Sequence, residues 1–154
     1  MSTFKGRIGV FGGRDVNDGL YEETIQIGAW LAKHNYLVFC GGAEGIMEAI
    51  AKGVSAHSGT IIGILKGDWN EGNNYLTIPI ATKLGIGRNP LITYNCEVGL
   101  AIGGKYGTLS EIAYMLQSDK PIIGYKSWVI NGMLQATSLQ QLYSIITTHY
   151  DGNK

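Results

Sequence analysis

Three glycine-rich stretches carry the residue types that can hold an anion. In VFGGRDV, Gly12 and Gly13 end an apolar run and Arg14 follows with a planar, permanently charged fork suited to phosphate. The spacing is not GxGxxG, so no dinucleotide site is indicated. In FCGGAEGIMEAI, Gly41, Gly42 and Gly45 lie between a buried run and a helical pattern. Unpaired N–H groups and the helix dipole favour an anion there, although a tight strand-to-helix turn needs similar glycines. In AIGGKYGTLSEI, Gly103, Gly104 and Gly107 let backbone N–H groups converge, and Thr108 adds a hydroxyl where the next helix opens.

The last stretch has a second reading. Thr108-Leu109-Ser110-Glu111 matches the T-x-x-E capping box, in which Glu111 reaches back to a backbone N–H and needs no ligand. The arginines point the other way. Arg occurs only at Arg7, Arg14 and Arg88, and two of the three neighbour glycine-rich loops. Arg88 sits in GIGRNP, before Asn89 and a Pro90 that can open a helix, where it serves either a ligand or a helix-start ion pair. Magnitudes set how many parts a site needs. A helix N-terminus gives an exposed anion roughly 0.3–1 kcal/mol, a charge-assisted hydrogen bond roughly 1.5–3, and micromolar affinity takes about 8. Two loops, an arginine and a stacking wall would suffice, with Trp69, Tyr75 and Tyr106 available for the wall.

These loops must be held by elements that alternate along the chain. Apolar runs at Ile8–Phe11, Leu37–Cys40, Thr60–Leu65, Val98–Ile102 and Pro121–Tyr125 read as buried strands. Helical patterns run from about Leu20 to Lys33 behind Asn17-Asp18, from about Glu44 to Ser55, from near Thr108, and from about Leu139 to His149 behind a Ser138-to-Gln141 capping box. This alternation predicts an α/β fold, a mostly parallel sheet with helices on both faces, whose ligands gather at the carboxyl ends of the strands. LTIPIAT reads as a short edge strand because of Pro79, after the polar loop KGDWNEGNNY. Between Lys126 and Thr137 the pattern is unreadable: Trp128, Val129 and Ile130 fit core, edge strand or oligomer contact.

Composition narrows the partners. At 154 residues the chain fits a single domain, 1–154. Twelve basic and twelve acidic side chains cancel, and no block of like charge suits nucleic acid or an anionic membrane. No apolar run nears the roughly 20 residues that span a bilayer, so a cytoplasmic protein is expected. Cys40 and Cys96 lack CxxC spacing and read as reduced, buried thiols. His34, His57 and His149 are too scattered for HExxH, and there is no G-x-S-x-G, so no metal bound directly by protein ligands is expected.

CGGAEGIM, GRNP and GGKYGTLSE resemble, in that order, the three signatures of the Lonely Guy and lysine-decarboxylase-like (SLOG) superfamily, over roughly Arg7 to Tyr125. The resemblance implies a Rossmann-like fold and a homo-oligomer, a dimer or a tetramer. Its branches include cytokinin-activating phosphoribohydrolases, which release a base from a nucleoside 5'-monophosphate, and molybdenum cofactor carrier proteins. The enzyme pattern is PGGxGTxxE with an upstream Arg-Lys pair, which by position would make Arg88 and Glu111 catalytic. Here Ile102 replaces the proline, Lys105-Tyr106 puts two residues where the enzymes have one, and Asn89 replaces the lysine. With VFGGR and the GRN form, the chain is more similar to the carrier branch. The expectation is a binding protein for a small phosphorylated, nucleotide-like ligand such as molybdopterin, the alternative being hydrolysis of a nucleoside monophosphate. The residues expected to bind it are Gly12, Gly13, Arg14, Gly41, Gly42, Gly45, Arg88, Asn89, Gly103, Gly104, Gly107, Thr108 and Glu111.

Overall fold

Strands buried along their whole length need cover on both faces, and the chain supplies it by alternating strand and helix. In the computed structural model, which describes residues 3–152, β1 (Gly6–Gly12) leads through α1 (Asp18–Lys33) to β2 (Tyr36–Cys40), and α2 (Ile46–Ala56) leads on to β3 (Ile61–Leu65) and β4 (Ile78–Ala81). The second half runs through α3 (Asn89–Asn95), β5 (Val98–Ile102), α4 (Tyr106–Gln117), β6 (Ile122–Tyr125), β7 (Leu134–Ala136) and α5 (Leu139–Asp151). All neighbours pair in parallel, in the order β4-β3-β2-β1-β5-β6-β7. This is a Rossmann-like α/β fold.

Strand residues of opposite parity feed two cores. On one face Ile8, Val10, Val38 and Leu100 meet Ile27 and Leu31 of α1, Ile50 and Val54 of α2, and Leu142 and Ile146 of α5. On the other, Phe11, Phe39 and Ala101 meet Ile92 of α3 and Ile112 and Met115 of α4. Asn17 caps α1 through Oδ1, which accepts from Leu20 N at 2.8 Å, and Ser138 caps α5 by accepting from Gln141 N at 3.1 Å.

Two segments gain definition. LTIPIAT does form an edge strand, and Pro79 is tolerated there because one side of β4 has no ladder to complete. The unreadable segment holds β7 at the opposite edge, while Trp128 and Ile130 pack half-buried on the second core and Val129 stays exposed. A strand of three residues is too short to show a period, so the sequence pattern missed it.

From β1 the chain builds outward to β4 and then returns to β5 on the other side of β1. Loops leaving β1 and β5 therefore diverge above neighbouring strands, and the crevice between them is the place where such sheets receive ligands.

Candidate functional site

A cleft of about 340 Å³ opens at this switch point. The loop after β1 contributes Gly12, Gly13, Arg14 and Asp15; α2 contributes Met47, and Lys66 follows β3 directly. The turn of 3-10 helix at Gly85–Arg88 and the start of α3 bring Ile86, Arg88 and Asn89, and the β5–α4 segment brings Gly104, Lys105, Gly107, Thr108 and Glu111. A smaller recess of about 80 Å³ shares Arg14, Lys66 and Arg88 and is walled by Gly41 and Gly42.

Gly45 and Gly103 line neither space, and both act on the backbone. Gly45 lets α2 start where Ile46 N donates to Gly13 O at 3.0 Å, and Gly103 O accepts from Ser127 Oγ at 2.6 Å. The aromatic wall is not there. Trp69 and Tyr106 are 66% and 80% exposed, the Tyr106 ring lies 6.2 Å from Trp128, and Tyr75 lies near Lys52 of α2. Met47 and Ile86 provide the apolar contact instead. Lys66, Asp15 and Lys105 escaped the sequence reading, which followed glycine pairs. For Lys66 the usable signal was position alone, the first residue beyond a buried strand.

The capping box expected at Thr108 does not form. Gly104, at φ 90°, turns the chain so sharply that α4 starts at Tyr106, with Lys105 as its N-cap and Leu109 N donating to Lys105 O at 3.0 Å. A side chain at 104 would also collide with Thr108, whose Oγ1 would lie 2.1 Å from its Cβ. Thr108 is thus buried inside the first turn, and Glu111, a turn further on, cannot reach an N-cap amide. Its carboxyl faces the cleft.

Arg88 is 4% exposed and is held by the ends of two strands. Its Nη1 donates to Gly41 O at 2.8 Å and to Ile64 O, and its Nε donates to Asn89 Oδ1 at 2.6 Å. Asn89 Nδ2 donates in turn to Ser110 Oγ at 3.2 Å, which donates to Gly107 O at 2.6 Å. An asparagine can accept from Arg88 and donate to α4 at once, whereas a lysine has no acceptor. Asn89 therefore couples the arginine to the helix that carries Glu111.

The charges do not cancel locally as they do in the whole chain. The side chains of Arg14 and Lys66 make no hydrogen bond or ion pair among the described residues, while Lys105 is paired with Asp15 at 3.2 Å on the exposed rim. Burial, and then the positive charges of Arg88 and Arg14, hold Lys66 below the ordinary lysine range. Glu111 is 8% exposed, its side chain makes no hydrogen bond among the described residues, and burial drives its carboxyl up to about 8 against the pull of Arg88 and Lys66. Desolvation of the charged form outweighs two cations because none of them touches the carboxylate. Below the cleft, burial pushes the Cys40 thiol to about 12, and Cys96 behaves alike at about 11, so both free cysteines are inert thiols in the core. No group of three metal-ligating side chains exists among the described residues, and none of their helices is long and apolar enough to cross a membrane.

A model of the SLOG cluster4 family matches residues 5–151, nearly the whole described chain. The chain belongs to this family. An uncharacterized protein of Archaeoglobus fulgidus is 34% identical over 128 residues, 82% of this chain and 85% of its own. Among solved structures, the molybdenum cofactor binding protein of Rippkaea orientalis superposes with a TM-score of 0.89 at 27% identity, covering 96% of this chain and 99% of that one. The molybdenum cofactor carrier protein of Chlamydomonas reinhardtii gives 0.86 at 26% identity, covering 93% and 97%. The two superpositions thus take in more than nine-tenths of this SLOG cluster4 member.

Proposed function

We propose that this protein binds a small phosphorylated, nucleotide-like ligand in the switch-point cleft, and that the ligand is the molybdenum cofactor. One observation carries the reading: two unpaired cations, Arg14 and Lys66, and the buried charge of Arg88 converge on one cleft of a chain whose net charge is zero. Their mutual repulsion is relieved only by an anion. The first-turn N–H groups of α4 open on the same space and add to its positive potential. Similarity to structures of two molybdenum cofactor proteins supports the choice of ligand.

The donors divide by reach. Arg88 has Nε and Nη1 committed to protein acceptors, so it acts as a fixed charge in the floor of the cleft. Arg14 and Lys66 are the groups able to close on phosphate oxygens. Three such charge-assisted bonds, at roughly 1.5–3 kcal/mol each, bring the sum into the range of the roughly 8 kcal/mol that micromolar affinity requires. Protein loaded with molybdopterin should retain it through gel filtration, and Arg14→Ala and Lys66→Ala should each release it while melting like wild type. Retention unchanged in the double variant would remove the cofactor's phosphate from this cleft.

A second reading, hydrolysis of a nucleoside monophosphate, is favoured by one feature: a carboxyl held near 8 in a cleft is suited to general acid–base work. The engagement of Arg88 with Gly41, Ile64 and Asn89 favours binding over it. Incubation with AMP and assay for free adenine and ribose 5-phosphate separates the two, with Glu111→Gln as the blank. We also propose that copies of the chain associate as a dimer or tetramer, supported by exposed Ile86, Tyr94 and Val129; light scattering of purified protein tests it.

A further inference from the structure

Resting on the reading of this cleft as a phosphate site, we propose that Glu111 takes part in capture as its neutral acid, donating its O–H to the ligand, so that ligand and one proton are taken up together. A buried polar group that lacks a protein partner finds one in water or ligand. Glu111 is such a group: it is more than nine-tenths buried, projects from α4 into the cleft, and its carboxyl makes no hydrogen bond within the described protein. As an anion it would stand in the same cleft as a phosphate dianion and repel it. As an acid it offers a donor one turn beyond the Thr108 hydroxyl, which lines the same cleft.

The surroundings define the competing titrations. Arg88 and Lys66 face Glu111 from the turn before α3 and from the end of β3, and the Cys40 thiol lies close enough beneath it to feel its charge. Arg14 lines the same cleft, and Asp15 and Lys105 neutralise each other at its rim. Arg88 keeps its proton at every working pH, and burial keeps the thiol protonated. Lys66, held below the usual lysine range, is therefore the one other group that could couple binding to pH above 7.5. Both titrations weaken anion binding as pH rises, and replacing Glu111 by a neutral isostere separates them.

The probe is AMP, whose phosphate is a dianion above about pH 7.5 because its second ionisation falls near 6. Calorimetry at pH 8.5 in Tris and in HEPES, which differ in heat of ionisation, counts protons. Wild type should take up close to one proton per AMP, and its affinity should fall up to about tenfold between pH 8.5 and 9.5, the limiting slope for one linked proton. Glu111→Gln, which retains a donor but cannot titrate, should lose less than about twofold of its own AMP affinity over the same interval. Proton uptake and slope unchanged in Glu111→Gln would assign the coupling to Lys66 and overturn the proposal. Failure of both proteins to bind AMP at pH 7.5 would instead refute the phosphate site on which it rests. A ligand-free check is the infrared carbonyl band of a protonated carboxyl that disappears around pH 8 in wild type and is missing from Glu111→Gln; no such band also overturns the proposal.

Discussion

Gly41→Ala tests the central piece of the site, because the cost of one methyl group can be worked out there. Gly41 does not occupy the left-handed region, so alanine could adopt its backbone, and space alone decides. An added Cβ would stand 2.7 Å from Arg88 Nη2, 3.0 Å from its Cζ and 2.7 Å from Met47 Sδ. The thioether of Met47 is flexible and can swing away. The guanidinium cannot, because Nη1 is held by the Gly41 and Ile64 carbonyls and Nε by Asn89. Expelling it would break three hydrogen bonds to a charged group, roughly 1.5–3 kcal/mol each, and leave a buried charge unpaired. Squeezing the methyl in costs about 1–3 kcal/mol, so the protein yields by that cheaper route.

The expected result is a loss of about 2 kcal/mol by urea unfolding with an unchanged m-value, or about 4–8 °C in Tm. AMP affinity should drop with it, since the shifted guanidinium sits in the cleft floor. Gly107→Ala is the control. A Cβ there meets nothing within 4 Å and lies in the first turn of α4, so stability should stay level or rise by a few tenths of a kcal/mol. If Gly41→Ala melts and binds like wild type, or if Gly107→Ala is equally damaging, the fixed-arginine reasoning is wrong.

Three further outcomes can be measured on the same unfolding apparatus. Lys120→Met removes the ammonium that donates to Thr93 O at 2.6 Å and Cys96 O at 2.9 Å, which closes the end of α3, and should cost about 2 kcal/mol; a loss below about 0.5 would show those carbonyls are satisfied otherwise. Glu23 accepts from Lys126 Nζ at 2.6 Å and from the Tyr125 hydroxyl, which together hold its carboxyl below the usual range. Its contribution is therefore present above about pH 4.5 and fades as pH falls through the lower folded value, and Glu23→Gln should narrow its deficit against wild type on acidification. Glu111 has the opposite sign, since folding raises it from 4.5 to about 8. Its contribution is complete below pH 4.5 and is lost as pH rises to about 8, so without ligand Glu111→Gln should gain on wild type across that window and then level off.

The parts of this site that were legible in the sequence are those fixed by the backbone. Glycines at strand ends mark where a chain must turn or approach closely, and Gly12, Gly13, Gly41, Gly42, Gly104 and Gly107 all border the cleft or its recess. Arg14 and Arg88 were legible as cleft-lining residues because they neighbour the same glycine-rich loops, although the bonds from Arg88 to Gly41, Ile64 and Asn89 were not. Strand-and-helix alternation gave the parallel sheet for the same kind of reason: wholly buried strands such as Val98–Ile102 cannot face water on either side.

Side-chain roles were less legible because they depend on where a helix starts by a residue or two. Thr108 and Glu111 have capping-box spacing, yet the box requires Thr108 outside the helix, and the turn at Gly103 and Gly104 begins α4 three residues too early. That offset converts Glu111 from a cap into an unpartnered acid in the cleft. It also faces Tyr106 toward Trp128, so the expected stacking wall gives way to Met47 and Ile86. The additional residue at Lys105-Tyr106, which in the sequence weakens the match to a hydrolase loop, stands at the N-cap and first position of α4. A shorter loop would move the start of α4 relative to Arg88 and change the separation between the acid and the fixed arginine.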